Sequence, residues 1–283
     1  MQVWFTEDQV PGLRISCQVT KVLHQEKTPF QRLAMLETGV FGRMLTLDDI
    51  IQTTERDEFV YHEMIAHVPL SAHPNPRRVL IIGGGDGGTM REVLRHPGVS
   101  ECHLVEIDER VVAISRQYLP SLASAMDDPR GKVIIADGIK HVKDYRDYYD
   151  LVIVDSTDPI GPAVGLFSVE FYSDVFRALK EDGLCVAQTE SPFYNTDLVP
   201  AIFGRIRASF PITRLYLGVV PTYPGGLWSF TAGSKKYDPS VPVRPAPDGL
   251  RYYSPDVHRA AFVLPPYVQQ VISPPGPRPV VGP

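Results

Sequence analysis

The sequence predicts an α/β fold, a mainly parallel sheet flanked by helices behind a small N-terminal antiparallel β domain, and three observations carry that prediction. The first is Arg77 to Asp108, where the apolar run Val79-Leu80-Ile81-Ile82 breaks into Gly83-Gly84-Gly85-Asp86-Gly87-Gly88, opens into a helical segment from Thr89, and reaches a second strand, His103 to Glu106, that ends in acid. This is one βαβ unit of a nucleotide-binding sheet, with a carboxylate roughly 20 residues past the glycines, where it can accept from ribose hydroxyls. The second is the continued alternation of strand and helix patterns beyond that unit, which implies parallel strands with crossover connections. The third is period-two alternation with turn residues before it, the pattern of hairpins.

Taken in order, alternation in Ile15, Cys17 and Val19, then in Leu33, Met35 and Met44 to Leu47, with Thr28-Pro29, Gly39 and Gly42 as breakers, predicts the hairpin domain over residues 1–53. Thr53-Thr54 reads as the cap of a helix over ERDEFVYHEMIAHVPL, acidic in its first turn and closed by Pro69. Within the α/β domain, 54–272, Val133 to Ala136 is a strand running into Asp137-Gly138, and Tyr149 to Val154 one ending at Asp155. Phe171 to Lys180 reads as a helix stopped by Gly183, Leu184 to Gln188 as a strand, and Asp197 to Ser209 as a helix. Ile212 to Val219 and Leu227 to Ala232, joined by PTYPGG, form a closing antiparallel pair, and Tyr252 to Ile272 supplies one or two helices. The tail, 273–283, is too rich in Pro and Gly to fold and reads as disordered.

Composition narrows the function. With 283 residues, 43% hydrophobic and 22% charged, the chain is an ordinary globular protein able to bury a full core. A net charge of −5 without a basic run argues against a nucleic-acid partner. Cys17, Cys102 and Cys185 are few and scattered, which suits a reducing compartment and neither a disulfide frame nor a cysteine metal site. No signal peptide and no apolar run of membrane-spanning length is present, so a cytoplasmic protein without a membrane partner is expected.

The glycine turn satisfies G-x-G-x-x-G from Gly83, yet a dehydrogenase reading meets a physical objection. Dinucleotide pyrophosphate is held by free N–H groups at the helix N-terminus, and here Asp86 puts a carboxylate there, which repels phosphate and suits a cation. Ligands of open α/β sheets bind beyond the C-terminal strand ends, and the strands end in or run into Asp86, Glu106, Asp137 and Asp155, with Asp158 just after. Single strand-end acids serve as helix caps, but five on one rim raise one another's pKa unless a cation is expected. The ligand implied is a nucleoside carrying positive charge. A metal is the competing cation. In Tyr61-His62-Glu63-Met64-Ile65-Ala66-His67 the histidines are five apart, not four, which turns the second ring about 140° from the first, so no zinc is expected. Magnesium on carboxylates stays open, although no Walker-type loop accompanies it.

The motifs TTERDEFVYHEM (Thr53 to Met64), GGGDGG (Gly83 to Gly88), VEID (Val105 to Asp108), Asp137-Gly138, DSTDPIGP (Asp155 to Pro162), PTYPGG (Pro221 to Gly226) and YYSPDVHRAAFVLP (Tyr252 to Pro265) resemble, in order, those of spermidine synthases, aminopropyltransferases of the polyamine pathway. The resemblance covers the chain up to the tail. It implies an N-terminal β domain, a Rossmann-like methyltransferase-type catalytic domain and a homodimer or homotetramer. It also implies transfer of the aminopropyl group of decarboxylated S-adenosylmethionine, a co-substrate rather than a cofactor, to putrescine, giving spermidine and methylthioadenosine. By the same resemblance Glu106 meets the ribose, Asp137, Gly138 and Pro162 the adenine, Gln31 the nucleoside, and Asp86 the aminopropyl ammonium. Asp155 is the proton acceptor, and Tyr61, His62, Asp158 and Tyr223 line the acceptor slot, with Ser156 to Phe167 as a gate. Agmatine and cadaverine compete with putrescine as acceptor, and a methyltransferase using intact S-adenosylmethionine and a non-catalytic polyamine- or nucleoside-binding regulator are the alternatives of other classes. Against the methyltransferase stands Asp86, because intact S-adenosylmethionine would bring its α-carboxylate against an unpaired acid. A regulator is expected to have lost the base, and Asp155 is present.

Overall fold

The structure is a computed structural model and describes residues 2–157 and 161–273, with 161 and 162 by backbone alone. Two sheets organise it. The first is antiparallel in sequence order: β1 (Val3–Val10), β2 (Leu13–Lys27), β3 (Arg32–Thr38), β4 (Gly42–Leu47) and β5 (Ile50–Thr54). Strands β2, β3 and β4 fall where alternation placed them, β5 lies beyond the alternating positions, and β1 carries no apolar alternation because half of its side chains are exposed. Its one buried residue is Glu7, whose Oε2 accepts the Ile51 N–H at 2.7 Å and so ties β1 to β5.

The second sheet has the order β11-β12-β10-β9-β6-β7-β8, with β6 (Arg78–Gly83), β7 (Glu101–Glu106), β8 (Gly131–Ile135), β9 (Tyr149–Asp155), β10 (Leu179–Gln188), β11 (Ile212–Val219) and β12 (Leu227–Ser234). Strands β8, β7, β6, β9 and β10 pair in parallel, and β12 and β11 close the edge antiparallel. Side chains of β6 and β9, Val79 to Ile81 and Leu151 to Val154, are fully buried, as strands covered by helices on both faces require. The chain turns from β6 towards β7 on one side and later returns to β9 on the other. That reversal opens a crevice at the carboxyl ends of β6 and β9, where ligands of this architecture bind.

The helices are α1 (Glu58–Ala72), α2 (Gly88–Leu94), α3 (Glu109–Tyr118), α4 (Gly138–Lys143), α5 (Val169–Ala178), α6 (Leu198–Ser209), α7 (Pro255–Ala261) and α8 (Pro266–Ile272). Three local expectations are corrected. Thr53 and Thr54 belong to β5, and the residue before α1 is Asp57, whose carboxylate takes the Thr54 hydroxyl and, at 3.0 and 2.7 Å, the Thr222 N–H and hydroxyl. Pro69 lies inside α1, which continues to Ala72 because Val68, Leu70 and Ala72 are fully buried and the His73 N–H returns to the Pro69 carbonyl at 3.1 Å. Likewise α5 ends at Ala178 rather than at Gly183. Leu179 is extended and pairs with Tyr149, and Gly183 lies within β10, where the register shifts. Expectations for the tail from Pro274 lie outside the described residues.

Candidate active site

The glycine turn is shaped by what it must approach. Gly83 has φ +84°, and a Cβ on it would lie 2.1 Å from the Asp155 carbonyl oxygen, so only glycine lets the loop close on the end of β9. The next residue uses the contact, since the Gly84 N–H donates to that carbonyl at 2.8 Å. A Cβ on Gly88 would meet the His62 ring at 2.3 Å, so the imidazole of α1 lies flat on the start of α2.

Around this turn a cavity opens, and Gln31, Asp86, Glu106, Asp137, Gly138 and Asp155 all line it, joined by Tyr61, His62 and Tyr223. The fold therefore gathers every expected site residue that lies among those described with its side chain. Asp158 lies outside the described residues, and so does the side chain of Pro162; the proposed gate is described only in Ser156, Thr157 and a 3₁₀ turn over Gly161–Phe167.

Individual environments differ. Glu106, at the last position of β7, is buried and accepts the Asp108 N–H at 2.9 Å. Burial drives its carboxyl up to about 7, against the pull of backbone N–H groups. Asp137 caps α4 through the Ile139 N–H at 2.9 Å, so it is a capping residue as well as a cavity wall. Gln31 donates to Asp108 at 3.0 Å, and Thr28 does so at 2.7 Å; Asp108 in turn caps α3. The β2–β3 turn is thereby pinned to the end of β7, which brings Gln31 to the cavity.

Asp155 stands between two hydroxyls, Tyr61 at 2.7 Å on Oδ1 and Thr89 at 2.6 Å on Oδ2. Burial first, and the like charge of Asp86 second, raise its pKa, while His62 and the two hydroxyls oppose. Asp86 Oδ1 accepts the Gly88 N–H at 2.7 Å and faces His62 Nε2 at 3.4 Å. Burial opposes its ionisation, but His62 and these bonds leave its pKa below the ordinary value. His62 is buried with Nδ1 2.6 Å from Glu58, so both ring nitrogens meet carboxylates rather than open space. Tyr223 donates to the Gln52 carbonyl at 2.7 Å and packs edge-on against Tyr61 and Trp228.

A second cavity adjoins the first across Tyr61, Tyr223, Ser156 and Thr157. Its wall includes the carboxylates of Glu7 and Glu190, both buried, and Gln188 at the end of β10. Sequence reasoning missed these residues, along with Thr89 and Glu58. Glu7 and Glu190 lie far from every glycine or aspartate motif, whereas Glu58 lies within TTERDEF and Thr89 directly follows GGGDGG.

Among the described residues one trio has the geometry to hold a metal, His73, Asp150 and Asp182. It sits at the opposite end of β9 from Asp155, and Asp150 is already engaged, by Lys180 at 2.7 Å on Oδ1 and the Arg77 and Arg78 N–H groups on Oδ2. His62 and His67 serve different partners, the latter bonding His96 and Glu92 at 2.9 Å.

A parallel sheet with a glycine turn at its switch point, a buried acid closing the adjacent strand and a half-buried carboxylate pair beside the turn defines an enzyme of the nucleoside-binding α/β class. Residues 58–244 match the spermine/spermidine synthase domain and residues 3–55 the spermidine synthase tetramerisation domain. The chain belongs to the spermine/spermidine synthase family of aminopropyltransferases, and β1 to β5 make up the segment that matches the tetramerisation domain. It is 58% identical over 275 residues to a polyamine aminopropyltransferase of Moorella thermoacetica, covering 96% of this chain and 97% of that protein. A polyamine aminopropyltransferase of Bacillus cereus is 51% identical over 96% of this chain and its own full length. Among solved structures, a spermidine synthase in complex with the transition-state analogue AdoDATO superposes with a TM-score of 0.93 at 42% identity, and that of Thermotoga maritima with 0.92 at 42%; each covers 95% of this chain and 94% of the other. No described helix is long and apolar enough to cross a membrane.

Proposed function

We propose that this protein transfers the aminopropyl group of decarboxylated S-adenosylmethionine to putrescine, releasing methylthioadenosine and spermidine. The observation that carries the reading is Asp155, a half-buried carboxylate of raised pKa held by two hydroxyls on the wall of the nucleoside-type cavity, one residue from the seam with the second, acidic cavity. In the first cavity Glu106 accepts from the ribose, Asp137, Gly138, Gln31 and Pro162 surround the nucleoside, and Asp86 meets the aminopropyl ammonium. The acceptor lies along Tyr61, Tyr223 and Asp158, with its far ammonium towards Glu7 and Glu190. Two separated acidic ends favour a diamine.

An alkylammonium has a pKa near that of lysine, about 10.4, and only the free amine has a lone pair. The neutral amine attacks the methylene carbon bonded to sulfur, so that C–N forms as C–S breaks. The C–S electron pair goes to sulfur and neutralises the sulfonium as methylthioadenosine, and the proton leaves nitrogen for Asp155. A raised pKa makes Asp155 a better base than an ordinary aspartate, and its hydroxyl partners fix it for in-line attack. His62 acts in this reading through Asp86 rather than by gripping the amine. We further propose the division 1–53, 54–272 and 273–283, a homotetramer built on the first segment, and a cytoplasmic setting, supported by three free buried cysteines.

The test is a mass-spectrometric endpoint assay with decarboxylated S-adenosylmethionine and equimolar putrescine, cadaverine, agmatine and spermidine, and with intact S-adenosylmethionine in parallel. Methylthioadenosine with spermidine as the dominant product is expected. Another dominant product renames the acceptor, and methylated amine from intact S-adenosylmethionine overturns the reading.

A further inference from the structure

The region between α1 and the glycine turn holds a charged network that the proposed chemistry does not use directly. Glu58 and His62 lie one turn apart on α1 and bond at 2.6 Å between Oε2 and Nδ1. The other ring nitrogen, Nε2, faces Asp86 Oδ1 at 3.4 Å. A neutral imidazole has one N–H, so a carboxylate bonded at Nδ1 and a second within ion-pair range of Nε2 together favour the imidazolium. Arg91, from α2, forks onto Glu58 at 3.1 and 2.8 Å and holds it in place, and Glu92 takes the Arg91 Nε at 2.8 Å. All of these side chains but Arg91 are buried or nearly so.

An imidazolium beside Asp86 would by itself neutralise the charge that the donor's ammonium needs. We propose that Glu58 is a positioning residue for the donor's ammonium: it holds His62 Nδ1 at 2.6 Å, against 3.4 Å from Nε2 to Asp86, so that Asp86 is fixed through Oδ1 yet still presents an anionic carboxylate to the cavity. This rests on the reading of Asp86 given above. The charged and titratable groups facing the His62 ring are Glu58 on its own helix, Asp86 in the turn, Asp155 from β9, Tyr61 edge-on at 5.5 Å, and Arg91 behind Glu58. The carboxylates outweigh burial and raise the His62 pKa well above its ordinary value. The same charge lowers Asp86, while Asp155 is raised by burial first and by the like charge of Asp86 second, against the pull of His62. The network thus drives two neighbouring carboxylates apart, one staying ionised and the other becoming basic, the arrangement that assigns anion and base.

The experiment is an NMR titration of the histidine Cε1 signals in the full chain, with His62→Gln identifying one of the eight histidines, followed by donor KM against pH in wild type and Glu58→Gln. In wild type the His62 ring stays protonated well above the pH at which an ordinary imidazole loses its proton. In Glu58→Gln its ionisation moves to lower pH. Below that new ionisation the uncompensated imidazolium raises the donor KM about tenfold, the order of one unit charge in a partly screened site, and above it KM returns towards wild type with kcat changed less. A ring already neutral at pH 7 in wild type overturns the proposal without any variant, as does a Glu58→Gln profile parallel to wild type. A wild-type protein that binds no decarboxylated donor overturns the proposed function instead, whatever the ring does.

Discussion

Replacing Asp155 by Asn tests the base most directly, because nearly everything around it survives. Asn keeps the shape and one carbonyl oxygen, which still accepts the Tyr61 hydroxyl, and the Thr89 hydroxyl turns to accept from the new amide. Positioning is retained and proton acceptance is lost, which is a loss of roughly 10²–10⁴-fold in kcat, or about 2.7–5.5 kcal/mol. Donor KM should move less than threefold, since Asp86, Glu106 and Gln31 are untouched. Stability carries an independent sign. A carboxyl whose folded pKa is raised contributes stability below its unfolded pKa and loses it as pH rises through the folded value, so ionised Asp155 is a liability at neutral pH. The variant should therefore melt at or above the wild-type temperature at pH 8. Rapid-quench measurement of methylthioadenosine in a single turnover separates chemistry from release. A single-turnover rate within threefold of wild type, or a loss confined to donor KM, would refute Asp155 as the base.

Three other outcomes follow from the geometry. Ribose hydroxyls favour the ionised form of Glu106, whose carboxyl sits at about 7, so methylthioadenosine affinity measured by calorimetry should fall towards tenfold per pH unit below 7 and level off above it, with proton release on binding; Glu106→Gln should bind weakly and without that pH dependence. Tyr61→Phe removes a hydrogen bond that favours the Asp155 carboxylate, so the acid limb of kcat/KM should move to higher pH while kcat falls about tenfold; an unshifted limb would separate Tyr61 from the base. Gly83→Ala forces a Cβ against the Asp155 carbonyl at a positive φ and should cost at least about 3 kcal/mol in thermal or urea melts, whereas Gly204→Ala in α6, whose Cβ meets nothing within 4 Å, should gain about 0.5–1 kcal/mol.

What the sequence determined by itself is whatever depends on neighbours along the chain. Period-two alternation placed β2 to β4, the apolar run before five glycines placed β6 and its turn, and strand-end acids placed Asp86, Glu106, Asp137 and Asp155 on one rim, because the carboxyl ends of parallel strands all face one edge of the sheet. The resemblance to spermidine synthases rested on the same local motifs and agrees with the matching domains. Tertiary structure decided what depends on partners distant in sequence. Strand β1 forms although its buried residue is a glutamate, because Ile51 satisfies that carboxylate. Helix α1 passes through Pro69 because the following turn is buried, a cost of one lost N–H that packing outweighs. His62 reaches between Glu58 and Asp86 only because Gly88, 26 residues on, leaves room for its ring. Charge states in the cavity belong to this second kind. The distance between two carboxylates, their burial and the cation set between them are properties of the packed fold, and a linear pattern of acids fixes none of the three.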